Sequence, residues 1–204
     1  MQQTSNTSDA TKSGSPEAPP KTLKEIRSER RPGAEGSWKA FRQDVERHGG
    51  EYRNSAIWHM ALYRFGNWSL ARKNRQLRWL TSKMYGAVTP LMEILTGVRM
   101  DRMTRIGEGF HIVHTDAPIS IHPEAIIGDR VGVMHGVTIG TNTGEGVPQI
   151  GNDVFIGTGA VVLGDITIGD NVSIAANSLV TTNVPPNSVA VGVPAKIYPK
   201  LKLR

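Results

Sequence analysis

Aliphatic residues recur at every sixth position along the second half of the chain. The first run is Ile121, Ile127, Val133 and Ile139, and the second is Ile150, Ile156, Val162, Ile168, Ile174 and Val180. A period of six fits neither a helix with 3.6 residues per turn nor a strand that alternates every two residues. It is typical of a parallel β-helix, in which each short flat wall buries one aliphatic residue and then turns a corner.

Three such walls make one coil of about 18 residues, and the inward residues of successive coils stack into a continuous core. Further small or β-branched residues lie two positions before members of both runs, at Val131, Val137, Val154, Ala160, Ile166 and Val172. The pattern therefore predicts a mainly β fold, with a parallel β-helix over residues 101–183. Residues 184–204 begin with a proline-rich stretch, and we expect them to leave the β-helix rather than continue it.

Helical patterns precede the repeats, so residues 37–100 are predicted to form a small α-helical segment. Residues 37–48 form a short helix that ends at Gly49–Gly50, and Asn54 or Ser55 caps a second helix. The expected apolar stripe of the second helix is Ile57, Trp58, Ala61, Leu62, Phe65 and Trp68. A third helix spans about 75–96, and Pro90 is expected to kink it or break it in two. Its apolar positions are Leu77, Leu80, Met84, Val88, Leu91, Met92 and Leu95.

The first 36 residues hold many Ser, Thr, Pro, Lys and Glu and almost no large apolar residue. Such a composition cannot bury enough surface to offset chain entropy, so residues 1–36 are expected to be a disordered tail. No apolar stretch has the form of a secretory signal or a membrane span. The chain has no cysteine, which excludes disulfides, thiolate metal sites and a cysteine nucleophile. We expect a cytoplasmic protein.

Positive charge is concentrated before the repeats. Residues 37–105 carry 13 Lys/Arg against 5 Asp/Glu, whereas residues 106–204 carry 5 against 8. Within residues 68–80, basic side chains alternate with Trp68, Leu77 and Trp79. This segment suits peripheral contact with an anionic membrane, although the solvated face of a helix is the commoner explanation. No nucleic-acid-binding motif accompanies the charge, so nucleic acid is not an expected partner.

Two of the six histidines fall at equivalent positions of the repeat. If Ile112 and Val133 lie on the same wall, one coil apart, then His114 and His135 each follow such an anchor by two residues. Neighbouring parallel strands are about 4.8 Å apart, so the two rings could touch. Thr158 continues this polar column one coil later. We expect the chemistry of the protein to lie here.

A neutral imidazole is the natural general base near neutral pH, and a second imidazole beside it disfavours the protonated form. Two alternatives stay open: surface histidines without a role, and a zinc site. The zinc alternative is the weaker one, because two ligands are too few, and no metal is expected. Loop 141–148 interrupts the repeat and could shape a binding cleft.

Several motifs of the chain resemble those of the hexapeptide-repeat acyltransferases, and within them the serine acetyltransferases. They are Leu62-Tyr63-Arg64-Phe65-Gly66-Asn67-Trp68, Phe110-His111-Ile112-Val113-His114, Gly136-Val137-Thr138-Ile139-Gly140, residues 156–164, and the stretch Asn183-Val184-Pro185-Pro186 with Val191-Gly192-Val193-Pro194-Ala195-Lys196. The resemblance covers about residues 54–197. It implies a left-handed parallel β-helix that assembles as a homotrimer.

The resemblance also implies transfer of an acetyl group from acetyl-CoA, a co-substrate rather than a tightly bound cofactor, to a hydroxyl. His114 would be the general base, with His135 beside it. The residues that resemble the CoA groove are Gly140, Thr158, Gly159, Ala160, Ala176, Asn177, Ser178 and Lys196. Asp116 and Asn142 are the candidate contacts to the acceptor, and the family's trimer places the groove between adjacent prisms.

Three departures from the family bear on the acceptor. Val113 stands where the family has an Asp before the base, and Arg99 stands where it has the acid that orients the base. The loop is also shorter and lacks the Arg-His pair that holds the serine carboxylate. Binding an unpaired carboxylate is costly. The acceptor is therefore expected to be L-serine or a sugar hydroxyl of a cell-surface polysaccharide, and a non-catalytic β-helix scaffold stays a further alternative.

Overall fold

In the computed structural model, which describes residues 37–50, 54–143 and 146–201, three helices precede a set of very short strands. The helices are α1 (Ser37–Arg47), α2 (Ser55–Leu70) and α3 (Arg75–Thr96). The predicted tail, residues 1–36, lies outside the described residues. No helix in the described ranges has the length and apolar character to cross a membrane.

Fifteen strands follow the helices within the described residues. They are β1 (Val98–Met100), β2 (Arg105–Ile106), β3 (His111–Ile112), β4 (Ile119–Ile121), β5 (Ile126–Ile127), β6 (Gly132–Val133), β7 (Thr138–Gly140), β8 (Gln149–Ile150), β9 (Phe155–Ile156), β10 (Val161–Leu163), β11 (Thr167–Ile168), β12 (Ser173–Ile174), β13 (Leu179–Val180), β14 (Ser188–Val191) and β15 (Lys196–Pro199). Every third strand joins the same sheet.

Three sheets form the walls of a prism. Wall A is β1-β4-β7-β10-β13, wall B is β2-β5-β8-β11, and wall C is β3-β6-β9-β12-β14, to which β15 is added at the end. All pairs are parallel except β14 with β15. The chain therefore visits walls A, B and C in turn, and the parallel β-helix predicted from the six-residue period is confirmed.

The register follows the sequence pattern. Neighbouring strands are offset by 18 residues where nothing interrupts the repeat, as between Ile156 and Ile174. The offset is 21 residues where the bulge after Ile112 intervenes, so that Ile112 pairs with Val133. All ten aliphatic residues of the six-residue runs are buried, as are the six residues that lie two positions before them.

The β-helix extends beyond the predicted limits 101–183 at both ends. Strand β1 already pairs with β4, so the last residues of the predicted helical segment belong to wall A. At the other end β14 pairs with β12, which corrects the expectation that residues 184–204 cannot continue the coil. Pro185 and Pro186 are tolerated because they lie at a corner before β14: Pro186 lies over Gly169, where no backbone donor is required.

The predicted start of α2 is confirmed, but its predicted apolar stripe is not. Asn54 caps the helix by accepting the Ala56 N–H at 2.9 Å. The buried face runs through Ala56, Met60 and Tyr63 and continues with polar residues, whereas Trp58 is exposed. Five of the six predicted stripe residues, all except Ile57, are therefore half-buried or exposed. Sequence spacing alone missed this because α2 buries polar groups on the face that meets the β-helix.

Helix α3 runs without a break through Pro90, so the break considered for this proline does not occur. Asn74 caps its first turn by accepting the Gln76 and Leu77 N–H groups at 2.9 and 3.1 Å. Gly97, with φ 68°, ends the helix in the left-handed conformation that glycine adopts at little cost. Helices α2 and α3 approach closely at Gly66, where a Cβ would lie 2.6 Å from the Tyr85 ring.

Candidate active site

The corner that joins wall C to wall A carries the predicted polar column, and we call it corner CA. Because Ile112, Val133 and Ile156 are register partners, the residues two positions further along, His114, His135 and Thr158, lie one above another. Backbone hydrogen bonds continue the column: the Gly159 N–H donates to His135 O at 3.0 Å, and the Asn177 N–H donates to Thr158 O at 2.8 Å.

The two imidazoles of corner CA are neighbours. The ring centroids of His114 and His135 are 6.1 Å apart, with the planes tilted by 57°. His114 is exposed and His135 is half-buried. Nδ1 of His135 is buried and has no hydrogen-bond partner among the described residues. The corner therefore offers one accessible imidazole and, next to it, a half-buried imidazole whose Nδ1 is enclosed by the protein.

A second column of corner CA keeps the coils close together. Gly136 and Gly159 have φ values of 74° and 66°, and Asn177 has a φ of 56°. The φ of Gly159 would strain any other residue, and a Cβ there would also displace Oδ1 of Asn177. These turns present backbone and small side chains beside the histidines.

The other predicted CoA residues of this corner differ in exposure. Ala176 and Asn177 are exposed, and Thr158 is half-buried. Ala160 and Ser178 point into the core, and the Ser178 hydroxyl accepts the Gly192 N–H at 3.1 Å. The side chains of the last two residues serve packing in this structure, and their role towards CoA stays a prediction.

Asp116 and Lys196 lie on either side of the column. Asp116 is exposed in the bulge between β3 and β4, two residues after His114. Lys196 is exposed at the start of β15, where it pairs with Val191 of wall C. Lys196 therefore lies near the end of corner CA that is remote from His114.

Gly140 and Asn142 are not brought to corner CA within one chain. Both lie at the opposite end of wall A, where Gly140 pairs with Leu163. Gly140 lines a cleft of about 410 Å³ on the outer side of wall A, together with Arg99, Ser120, His122 and Thr138. The residues predicted from the sequence thus occupy two separate places on a single prism.

A buried ion pair between α1 and α2 supports the strand that leads to His114. Nε of Arg64 donates to Oδ2 of Asp44 at 2.8 Å, and Arg64 also donates to the Ile106 and Gly107 carbonyl oxygens. Oδ1 of Asp44 accepts the Phe110 N–H at 2.9 Å. Burial raises the pKa of the Asp44 carboxyl, and the hydrogen bond and positive charge of Arg64 oppose that rise.

His48 holds the next residues of the same strand. Its Nε2 accepts the Ile112 N–H at 3.2 Å, and its Nδ1 lies 2.6 Å from Asp44 O. These partners require the neutral imidazole with the proton on Nδ1. Burial lowers the pKa of His48, in keeping with that form. The His48 ring meets the His111 ring edge to face at 4.6 Å, three residues before His114.

His111 shares this environment. Burial lowers its pKa to about 4, and the charges of His48 and Arg47 add to the decrease. Neither Asp44 nor His48 was singled out from the sequence. One signal was present in the sequence. Asp44 and His48 fall on the same helical face as the apolar residues Phe41 and Val45, where a polar residue in contact with solvent is not expected.

Comparison with known proteins places this geometry in a family. The bacterial transferase hexapeptide (six repeats) family model matches residues 148–182. The serine acetyltransferase of Helicobacter pylori is 39% identical over 117 residues, which are 56% of this chain and 68% of that protein. The chain belongs to the serine acetyltransferase family. The serine acetyltransferase of Synechococcus elongatus is 35% identical over 131 residues, which are 61% of this chain and 53% of the relative.

Solved serine acetyltransferases share the fold. The crystal structure of the Neisseria gonorrhoeae enzyme superposes with a TM-score of 0.63 at 27% identity, covering 82% of this chain and 67% of that one. The same enzyme in complex with serine has a TM-score of 0.63 and covers 78% of this chain and 68% of that one. The prism is accordingly the left-handed β-helix of serine acetyltransferases, and the chain is an acyltransferase.

Proposed function

We propose that the protein is an acetyl-CoA-dependent O-acetyltransferase that acts on L-serine, with His114 as general base. The observation that carries the proposal is the His114–His135 pair at 6.1 Å in corner CA. Serine as the acceptor is supported by the names of relatives of which this chain covers about two thirds: they are serine acetyltransferases, and one of them was solved in complex with serine.

In the proposed reaction, His114 removes the proton from the serine hydroxyl while the hydroxyl oxygen attacks the thioester carbon of acetyl-CoA. The C–S bond of the tetrahedral intermediate then breaks, and the proton on His114 passes to the departing thiolate. The products are O-acetylserine and CoA. His135 lies beside His114, and we assign it the task of positioning the His114 ring.

The groove for CoA is proposed to follow corner CA from Thr158 to Asn177. Small side chains and backbone groups line this path, and Lys196 at its far end supplies a positive charge for a phosphate. Asp116, two residues beyond His114, is the proposed contact to the ammonium group of serine.

We further propose a homotrimer in which the active site lies between two prisms. The separation of the predicted residues supports it, because corner CA and the cleft at Gly140 lie at opposite ends of wall A. A neighbouring copy would supply Gly140 and Asn142 to the His114 of the first.

Mixed trimers test this arrangement. His114→Ala and Gly140→Asp subunits would each be inactive alone, and mixing them should restore a part of the activity by forming intact interfaces. Absence of any restored activity in proven mixed trimers would place the whole site on one chain.

A thiol-release assay tests the reaction itself. The full chain with acetyl-CoA and serine at millimolar concentration should release CoA thiol and form O-acetylserine, and acetyl-CoA alone should raise the melting temperature. Without turnover and without thermal protection, the protein would be a non-catalytic scaffold. Fractionation of expressing cells tests the cytoplasmic location that we propose with this activity.

A sugar hydroxyl is the second candidate acceptor, and one observation favours it. Loop 141–148 carries no Arg or His that could pair with a serine carboxylate. A nucleotide sugar or an oligosaccharide with free hydroxyls should then be acetylated faster than serine. Efficient turnover with serine at millimolar concentration excludes this candidate.

A further inference from the structure

Helix α3 leaves most of its apolar side chains uncovered. The residues of this outer face, each between 39% and 81% exposed, are Leu77, Leu80, Met84, Val88, Leu91, Ile94 and Leu95. They do not belong to the buried side of α3, which consists of Thr81, Tyr85 and Thr96. A single exposed leucine needs no explanation, but a continuous row of seven large apolar residues indicates an interaction surface.

The outer face is an organised stripe. With 100° of rotation per residue, its seven members fall within an arc of about 120°, beside the arc that packs on the body of the protein. The helix has 22 residues, so the stripe is about 30 Å long. Its position on a well-capped helix fixes the stripe with respect to the β-helix.

Basic and aromatic residues lie on the polar side of the first turns of α3, and Lys83 lies next to the outer face. Arg75, Trp79 and Lys83 follow one another at spacings of four and line one shallow cleft. The Trp79 ring is 64% exposed. Arg72, Lys73 and Arg78 add positive charge, and between residues 72 and 96 the only acidic residue is Glu93.

We propose that α3 is a membrane-docking helix that lies on an anionic lipid surface. The aliphatic stripe would enter the boundary of the acyl chains, and Trp79 would take the interfacial position that tryptophan prefers. Lys83, next to the stripe, and the long side chains of Arg75 and Arg78 in the first turns of the helix would reach the anionic headgroups. The aliphatic stripe, the tryptophan and the cations all lie on α3, and together they match the chemistry of an anionic lipid surface.

A second copy of α3 fits the same face less well. The apolar residues would suit a helix pair, but in a parallel pair the five cations of residues 72–83 would face the same five on the partner. In an antiparallel pair they would meet a single carboxylate, Glu93. Positive charge favours an anionic lipid instead. The docking surface also differs from the predicted segment 68–80: Trp68 is half-buried beneath the Arg72 guanidinium, 4.5 Å away, and the surface extends to Leu95.

Vesicle binding of the full chain tests the proposal without reference to catalysis. The protein should sediment with vesicles of equal parts phosphatidylcholine and phosphatidylglycerol, and should stay in solution with phosphatidylcholine alone. The triple variant Arg75→Gln, Arg78→Gln, Lys83→Gln should bind about 100-fold more weakly, as expected for the loss of three cations near the surface. Leu80→Glu with Leu91→Glu should abolish sedimentation.

Matched controls separate this face from the rest of the surface. Arg42→Gln removes an exposed cation of α1, and Leu201→Glu replaces an apolar residue that is 86% exposed. Neither should change vesicle binding. Equal losses for the controls and the α3 variants would contradict the proposal, as would an absence of binding by the original protein.

A label on α3 gives a second measurement. Because the chain has no cysteine, Leu80→Cys provides a unique site for an environment-sensitive dye. Its emission should shift to the blue with anionic vesicles only, while a dye at Glu124→Cys, on the β-helix, should not respond. A blue shift that grows with protein concentration in the absence of lipid, together with a doubled particle mass, would overturn the proposal in favour of a second copy.

Discussion

The β-helix buries its patterned apolar residues, whereas the helical segment exposes most of those on α3. Every aliphatic residue of the six-residue period is buried, from Ile121 to Val180. On α3, by contrast, Leu77, Leu80, Met84 and Leu91 are all exposed. In the β-helix the next coil of the same chain covers each inward residue, so the pattern predicts burial. The apolar face of a helix can be covered by a partner outside the chain. An apolar pattern at helical spacing therefore predicts an amphipathic helix but not burial within the same chain.

The polar groups of the two regions differ as well. Aliphatic side chains fill the interior of the prism, whereas the helical segment buries Asp44, His48, His59 and Arg64. These buried polar groups fix the helices on the first coils and hold the strand before His114. The helical segment is therefore more sensitive to loss of a charge partner and to pH than the β-helix.

Removing the buried carboxylate should have the largest effect on stability. Asp44→Ala leaves the Arg64 guanidinium without its partner in a buried site, which should lower the free energy of unfolding by about 3–5 kcal/mol. The exposed pair Arg130–Asp153 provides the matched control. Asp153→Asn removes the charge, keeps a residue that tolerates the left-handed φ of 55°, and should cost at most about 1 kcal/mol. Urea denaturation of both variants measures the difference. Equal costs would contradict the assignment of the helix–coil anchor to Asp44.

Truncation of inward and outward aliphatic residues sharpens the contrast between the two regions. Ile156→Ala removes a fully buried side chain of wall C and should cost about 3 kcal/mol. Leu95→Ala removes a side chain that is 68% exposed on α3 and should change stability by no more than about 0.5 kcal/mol. The urea midpoints of the two variants give the comparison. A large cost for Leu95→Ala would mean that a partner already covers α3 in solution.

Acid should weaken the helical segment through His59. Burial lowers its pKa to about 4, from an ordinary value of 6.5. As the pH falls below 6.5, His59 becomes protonated in the unfolded chain but stays neutral in the folded chain. The free energy of unfolding therefore decreases until about pH 4. Between pH 7.5 and pH 5 the loss from this residue should be about 2 kcal/mol. In the variant His59→Gln this part of the pH dependence should disappear, as measured by urea unfolding at the two pH values.

The sequence predicted the β-helix and corner CA for one physical reason. Register in a β-helix is a matter of counting, so the pairing of Ile112 with Val133 followed from the six-residue period and a three-residue bulge. The neighbourhood of His114 and His135 followed from that pairing. Contacts that cross from the helices to the coils could not be counted in this way. The Asp44–Arg64 pair joins residues on two helices whose relative placement no period encodes.

The buried face of α2 was missed for the same reason. Its sequence offered an apolar stripe that included Phe65 and Trp68, yet these rings line a cleft between α1 and α2 rather than the core. Tyr63 is buried instead, with its hydroxyl donating to Thr104 O at 2.7 Å. Tertiary hydrogen bonds outweighed the local apolar pattern, and such bonds cannot be read from spacing.

Steady-state kinetics of the variant His114→Ala test most directly whether the imidazole column of corner CA carries out acetyl transfer. With acetyl-CoA and serine at pH 7.5, kcat should fall by at least about 100-fold, the usual scale for loss of a general base. His59→Gln, which alters a histidine inside the helical segment, should retain the original kcat. An unchanged kcat in a correctly assembled His114→Ala protein would contradict the role of His114 as general base.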